Sequence, residues 1–303
     1  MLLAHVVSTA CGLLAARLDA PLVLAFHSSD PLEIQFRRER TGLGYRLRSY
    51  ALEPLVALME ATAIRNARRV VVLSRFTRGL LLRRDPSVAG RAVVIGAGVD
   101  LVRFSPGDQG EARRRLGLDE DGPPLLLTVR RLEVRMGVEE LLHAVAEVLR
   151  TQPLRLAVIG DGSLRPHLER VARRLGLAQA VSFLGRVADE KLPDWYRAAD
   201  LFVLPTVAYE GFGMVTVEAL ACGTPVVGTP VGATPELLEA LDPRLVSASA
   251  EAGDLAAAIA DGLGLAGDEF RRRCRAYACE RYAWEPVVER WEAALVETVA
   301  AAS

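Results

Sequence analysis

The sequence predicts an α/β protein made of two open parallel sheets, each covered by helices. Three observations carry that prediction. Short apolar runs alternate with longer helical patterns along almost the whole chain, the signature of strand, crossover helix, strand units. The run LFVLP at 201–205 is apolar at consecutive rather than alternate positions, typical of a parallel-sheet strand buried on both faces. A stretch with Gly96, Gly98, Pro106, Gly107 and Gly110 breaks the alternation once, after which it restarts, giving two such units.

In the first unit, the opening MLLAHVVSTACGLLAARL reads as a buried strand and then a helix ending near Asp19. PLVLAF at 21–26 follows as a strand, then a long polar-to-apolar segment to Ala67, RRVVVL at 68–73, the helical SRFTRGLLLRR and AVVI at 92–95. The second unit runs LLLTV at 125–129, helix 138–150, LRLAVIG, helix 163–176, AVSFLG, helix 189–198, DLFVLP and helix 213–221. PVVGT and RLVSA read as its last strands, with helices at 251–266 and 285–300 behind them. The resulting boundaries are 1–106, 107–283 and a terminal helix over 284–303, in which Trp284, Val288, Trp291 and Leu295 share a helical spacing that reads as packing. Ligands of such sheets bind beyond the carboxyl ends of the strands, so two facing units would enclose a cleft.

With 303 residues, 51% of them hydrophobic and 25% charged, the chain can bury two ordinary cores. A formal net charge of -1 supplies no field to recruit nucleic acid. Cys11, Cys222, Cys274 and Cys279 have neither metal-type spacing nor the density of a disulfide framework, which points to a reducing cytosol. The apolar start has no preceding positive charge and is interrupted by His5, Ser8 and Thr9, so it reads as neither signal segment nor membrane span. Arg37, Arg38, Arg40, Arg46 and Arg48, interleaved with Phe36, Leu43, Tyr45, Leu47 and Tyr50, read first as a solvated helix face. The alternative is a peripheral contact with the inner face of a membrane or with a phosphate-bearing acceptor.

Residues 209–227, YEGFGMVTVEALACGTPVV, say most about function. A helix opening at a strand's carboxyl end presents unpaired N–H groups and the positive end of its dipole, and Gly211 and Gly213 let a ligand's diphosphate come close. Ionised Glu218 can accept from both hydroxyls of a ribose, and Glu210 from the hydroxyls of a hexose. An isolated pair of glutamates ordinarily does no more than complement a helix dipole, and only the surrounding residues favour a site.

Those surroundings, VIGAGVDLVRFSP, LLLTVRRLEVRMGVEELLHAV, AVIGDGSLRPHLERVARRLGL, VSFLGRV and PVGATPELL, stand in an order that resembles the glycosyltransferases of family 4. These are retaining enzymes of the GT-B type, with two Rossmann-like domains facing a cleft. The resemblance implies that Glu218 binds the donor ribose, that Glu210 binds the transferred sugar, and that Gly211, Phe212, Gly213, Met214 and Val215 offer backbone N–H groups. It places Arg186 and Val187 near the nucleobase and His27, at the end of PLVLAF, beside the reacting sugar. Arg131 matches the family's arginine on the leaving diphosphate, but the lysine expected five residues later is Met136, and the neighbouring Arg135 is the candidate replacement. The family's reaction needs no protein nucleophile, because the leaving phosphate helps to accept the acceptor's proton. Its last helix crosses back onto the first domain. It also implies a further strand and glycine-rich loop ahead of Met1, roughly seventy to ninety residues by ordinary domain size. Lacking these, the first sheet would expose an edge and favour self-association.

Other chemistries fit less well. Gly160 and Gly162 are followed by Arg165 where a dinucleotide site needs a third glycine, and the lone lysine, Lys191, has no glycine loop before it. Asp119, Glu120 and Asp121 sit in a glycine and proline turn, and His5, His27, His143 and His167 are scattered, so no metal and no cofactor is expected. The expected function is a cytoplasmic, metal-independent transfer of a hexose from a UDP- or GDP-sugar to the hydroxyl of a sugar or lipid-linked acceptor. The alternatives are a nucleotide-sugar-binding partner subunit without catalysis and an epimerase of the same fold.

Overall fold

The structure is a computed structural model and describes residues 1–5, 7–16, 20–27, 34–35 and 43–301. It divides into two compact units, Met1–Ala97 with Glu285–Ser303, and Gly98–Trp284. The first division falls upstream of the boundary at 106 expected from Pro106 and Gly107.

The first unit is a four-stranded parallel sheet in the order β1 (Leu2–Ala4), β2 (Leu22–Phe26), β3 (Arg69–Val72), β4 (Ala92–Val94). Its helices are α1 (Val7–Ala15), α2 (Leu43–Asn66) and α3 (Arg75–Arg84). Leu22, Leu24 and Phe26 enter one buried cluster with Ala63 and Ile64 of α2, while Val23 enters another with Val71, Val287 and Ala294. The period of two thus sends successive residues to opposite cores, which is why PLVLAF is apolar without alternation. Ser74, two residues past β3, caps α3, its hydroxyl accepting from the Thr77 N–H at 3.1 Å.

The second unit is a five-stranded parallel sheet in the order β7 (Val181–Gly185), β6 (Arg155–Ile159), β5 (Leu125–Val129), β8 (Leu201–Leu204), β9 (Val226–Gly228). Around it lie α4 (Gln109–Arg115), α5 (Val138–Val148), α6 (Arg165–Arg174), α7 (Leu192–Ala198), α8 (Met214–Ala221) and α9 (Thr234–Leu238). Leu126, Leu127, Leu201, Phe202, Val203 and Leu204 are fully buried, so the two central strands are sealed on both faces.

Three sequence expectations are corrected here. RLVSA is not a strand: Asp242 accepts from the Arg244 N–H at 3.0 Å and starts a 3-10 turn, Pro243–Leu245, after which only Val246 bridges to Gly228. A helix absent from the sequence reading, α11 (Asp268–Tyr282), follows α10 (Ala252–Leu265). Its buried Phe270, Cys274, Tyr277 and Ala278 have helical spacing, but the intervening arginines dilute the apolar signal. In α12 (Trp284–Ala300) the buried residues are Val287, Ala294 and Thr298, with Trp291 and Leu295 beside them, while Trp284 and Val288 are exposed. The basic stretch at 36–42 lies outside the described residues, and beyond it Arg48, Leu47 and Tyr50 are exposed.

Gly137 opens α5 in the left-handed region at φ 69°, and a Cβ there would lie 1.6 Å from the Pro205 carbonyl oxygen, beyond the end of β8. Gly176 has a similar φ of 74° with open space around it. Gly176→Ala is therefore expected to cost only the backbone penalty, about 1–2 kcal/mol. Gly137→Ala adds a collision between two loops and should cost roughly 3 kcal/mol or more. Urea denaturation of both variants checks this, and equal losses would show that the Pro205 contact yields freely.

Candidate active site

In the second sheet β6 and β7 lie on one side of β5 and β8 and β9 on the other, so the chain reverses direction across the sheet between β5 and β8. Ligands of open α/β sheets bind at that switch, outside the strands' carboxyl ends. Two loops meet there, 130–137 after β5 and 205–213 after β8. The first is pinned from β6: the Arg130 N–H donates to the Ile159 carbonyl at 2.9 Å, and a Cβ on Gly160 would lie 1.9 Å from the Arg130 carbonyl oxygen. Gly160 fails the dinucleotide pattern but is required for this approach.

Glu210 sits in the second loop with its side chain only 11% exposed. Arg130 Nη2 donates to Glu210 Oε2 at 2.7 Å and to Thr206 Oγ1 at 2.6 Å, and the Thr206 hydroxyl donates to the same Oε2 at 3.0 Å. The backbone of Glu210 is fixed too, its carbonyl accepting from the Ala233 N–H at 2.8 Å. Tyr209, immediately before it, has φ 55° and is the one non-glycine residue in the left-handed region among the described residues. Strain of this kind, of order 1–3 kcal/mol, persists only where the surroundings over-determine it.

The sequence-predicted arginines are placed differently from each other. Arg135 lies in a 3-10 turn, Val134–Met136, and its Nη1 donates to the Tyr209 carbonyl at 2.9 Å, while its own carbonyl accepts from Val207 N–H at 3.0 Å. Arg135 therefore braces the loop that carries Glu210. Arg131 is exposed, and Met136 is buried as an apolar side chain.

Gly213 caps α8 at φ 90°, with Gly211 before it and Met214 and Val215 in the first turn. Phe212 turns inward and packs edge-on against Tyr282, with centroids 6.0 Å apart, so at this position only the backbone faces outward. Glu218 stands one turn into α8. Its Oε2 accepts from the Tyr196 hydroxyl at 2.7 Å. Burial pushes the Glu218 carboxyl above its usual range, against the opposing pull of Tyr196 and Arg103. Burial, with Glu218 beside it, likewise pushes the Tyr196 phenol well up. Tyr196 belongs to α7, which the exposed Lys191 precedes; Arg186 is exposed beyond β7 and Val187 half-buried.

In the first unit, His27 follows β2 and is exposed. Its ring stacks on His5 with centroids 5.6 Å apart and planes 11° from parallel, and His5 follows β1, so adjacent strand ends present the pair. Partial desolvation first, and His5 second, hold the His27 imidazole below its ordinary range. Among the described residues no group of His, Cys, Asp and Glu could hold a metal ion.

Sequence reasoning missed Arg130, Thr206, Tyr196 and His5. Arg130 stands beside Arg131 at the same strand's carboxyl end, and nothing local sets the two apart. Tyr196 carried no signal, because a tyrosine on an amphipathic helix reads as core.

An arginine-braced carboxylate and a helix amino terminus at the switch point define a site suited to a polyhydroxylated anion. Two family models match the chain, "Glycosyltransferase Family 4" over residues 2–103 and "Glycosyl transferases group 1" over residues 123–264. The chain belongs to the glycosyltransferases built from these two domains, a family of enzymes. It is 38% identical over 219 residues to "D-inositol 3-phosphate glycosyltransferase 2" of Catenulispora acidiphila, covering 69% of this chain and 51% of that protein. The "D-inositol 3-phosphate glycosyltransferase" of Frankia alni is 40% identical over 185 residues, covering 58% and 45%. The chain thus spans about half the length of these curated relatives. Among solved structures, sucrose-phosphate synthase from Thermosynechococcus elongatus matches at TM-score 0.78 and 27% identity, covering 96% of this chain and 71% of that one. Anabaena HepE, solved in complex with UDP-glucose, matches at TM-score 0.77 and 23% identity, covering 97% and 78%. The fold is that of the GT-B glycosyltransferases.

Because the folded-state pKa of Glu218 is raised, its protonated form is favoured in the native protein. That contribution to stability is fully present below the ordinary carboxylate range and is lost as pH rises through the raised value. Glu218→Gln is expected to gain stability relative to the parent as pH rises from acid to neutral, read from thermal melts across a pH series. A constant offset would show that burial does not perturb the group.

Proposed function

We propose that the second unit binds a nucleotide-diphosphate sugar, UDP- or GDP-linked, and that the protein transfers its hexose to an acceptor hydroxyl with retention of configuration. The observation that carries this reading is the placing of Glu210 and Glu218 on either side of the α8 amino terminus, in the single segment that follows β8 at the switch point. Glu218 takes the ribose hydroxyls, the first-turn N–H groups from Met214 and Val215 face the diphosphate, and Glu210 takes the hexose hydroxyls. Departure of the diphosphate builds negative charge, and Arg131, exposed and without a side-chain partner among the described residues, can reach for it. Arg135 adds its charge nearby while holding the loop. His27 takes a sugar-positioning role, and its depressed pKa keeps it neutral, able both to donate and to accept at neutral pH. No metal enters this scheme.

The relatives' names make a small phosphorylated polyol, inositol 3-phosphate, the first acceptor to try, followed by lipid-linked sugars. No helix among the described residues is long and apolar enough to cross a membrane; we place the protein in the cytoplasm, with peripheral contact at the membrane's inner face where the acceptor is lipid-linked.

A second reading, donor binding without transfer, is favoured by Met136 at the lysine position and by the engagement of Arg135 with a backbone carbonyl. Calorimetry with UDP and GDP beside donor-hydrolysis and transfer assays separates the two, and product analysis without acceptor tests for epimerisation. Transfer should be present in the parent chain and fall about a hundredfold or more in Glu210→Gln. Affinity for the nucleoside diphosphate should stay unchanged in that variant. A parent chain that binds neither nucleotide would reject the reading.

A further inference from the structure

We propose that Arg130 is a positioning residue for the sugar end of the donor, acting through Glu210; this rests on the donor-site reading above. Arg130 directly follows β5, its side chain is only 7% exposed, and it ties the carboxyl ends of β5 and β8 together through Thr206 and Glu210. Both bonds to the carboxylate fall on Oε2, which leaves Oε1 as the oxygen that accepts from a ligand hydroxyl. The anchors beneath it do not move freely. Arg130 is held by the Ile159 carbonyl and by the close approach of Gly160, and the carbonyl of the fully buried Thr206 accepts from the hydroxyl of Thr229, just past β9. Four loops beyond neighbouring strands, those after β5, β6, β8 and β9, therefore fix one carboxylate.

The cluster is not built for stability. Burying a guanidinium and a carboxylate sacrifices the hydration of both, and an apolar pair of similar volume commonly serves a fold as well or better. Arg130 Nε, moreover, is buried with no hydrogen-bond partner, a donor left unmade. With Tyr209 held at φ 55° alongside, the loop accumulates unfavourable features around the carboxylate assigned to the sugar. Arg130 offers two things in return. It orients Glu210, and it cancels the charge of a carboxylate that would otherwise repel the donor's diphosphate, with Met136 providing no cation from the same loop.

The experiment compares the parent chain, Arg130→Met, Arg130→Lys, Glu210→Gln and the double variant Arg130→Met with Glu210→Gln. Calorimetry uses whichever of UDP and GDP the parent binds and the corresponding nucleotide-glucose, and steady-state transfer is measured with inositol 3-phosphate. Arg130→Met should leave affinity for the nucleoside diphosphate within about twofold, weaken the nucleotide sugar about tenfold and lower kcat about a hundredfold. Arg130→Lys should restore part of kcat, and the double variant should be no worse than Glu210→Gln, because the arginine acts only through the carboxylate. Parental kcat and donor KM in Arg130→Met, or losses that add in the double variant, would overturn the proposal. Should Arg130→Met fail to fold, the uncharged double variant retains a neutral pair, and a double variant slower than Glu210→Gln overturns the proposal equally. Failure of the donor-site reading is distinguishable: the parent chain itself then binds no nucleotide, before any variant is compared.

Discussion

Parallel pairing of β5 with β6 on one side and β8 on the other is the constraint from which the second unit follows. Parallel strands need crossover helices, the helices cover both faces of the sheet, and the covered strands must be apolar throughout. All carboxyl ends then lie along one edge, and the reversal of direction beside β5 leaves a gap there that no crossover fills. The residues after β5 and β8 are joined by their side chains and by the Val207 and Ala208 N–H groups, which donate to the Arg135 carbonyl. Chemistry at that edge is inherited from topology.

Within the gap, electrostatics work differently at the two carboxylates. Glu210 is met by a guanidinium and a hydroxyl on one oxygen, so its charge is compensated where it is buried. Glu218 is met by a phenol alone, with Arg103 more distant, and burial prevails over both. The first arrangement suits a group that must hold one geometry against a neutral sugar. The second suits a group whose ionisation a ligand can complete, because two ribose hydroxyls donating to it would supply the stabilisation that the protein withholds.

Much of this was readable from residue patterns. Among the described residues the apolar runs located the strands of both sheets, most plainly β8 and β9, where burial on both faces leaves no alternation to mislead, and Gly213 before an apolar helix located α8. RLVSA failed because Asp242 and Pro243 compete locally for the backbone, and a capped turn won over pairing with β9. The α11 helix failed because its arginines extend aliphatic stems over the core while counting as polar; Arg271 and Arg275 donate to backbone carbonyls of other segments instead of facing water. At the site, the glutamates were legible because their spacing is local. Arg130 was not, since its partners lie 76 and 80 positions away and no local pattern distinguishes a buried arginine from the exposed one beside it.

Lys191 stands exposed immediately ahead of the helix that carries Tyr196, in a chain that otherwise draws its cationic side chains from arginine. Amine-directed reagents therefore have one lysine side chain to target in this sequence. A fluorophore or spin label can be seated within two turns of the Tyr196–Glu218 bond without engineering a cysteine. Nature has left the molecule a ready-made reporter position beside its own candidate pocket.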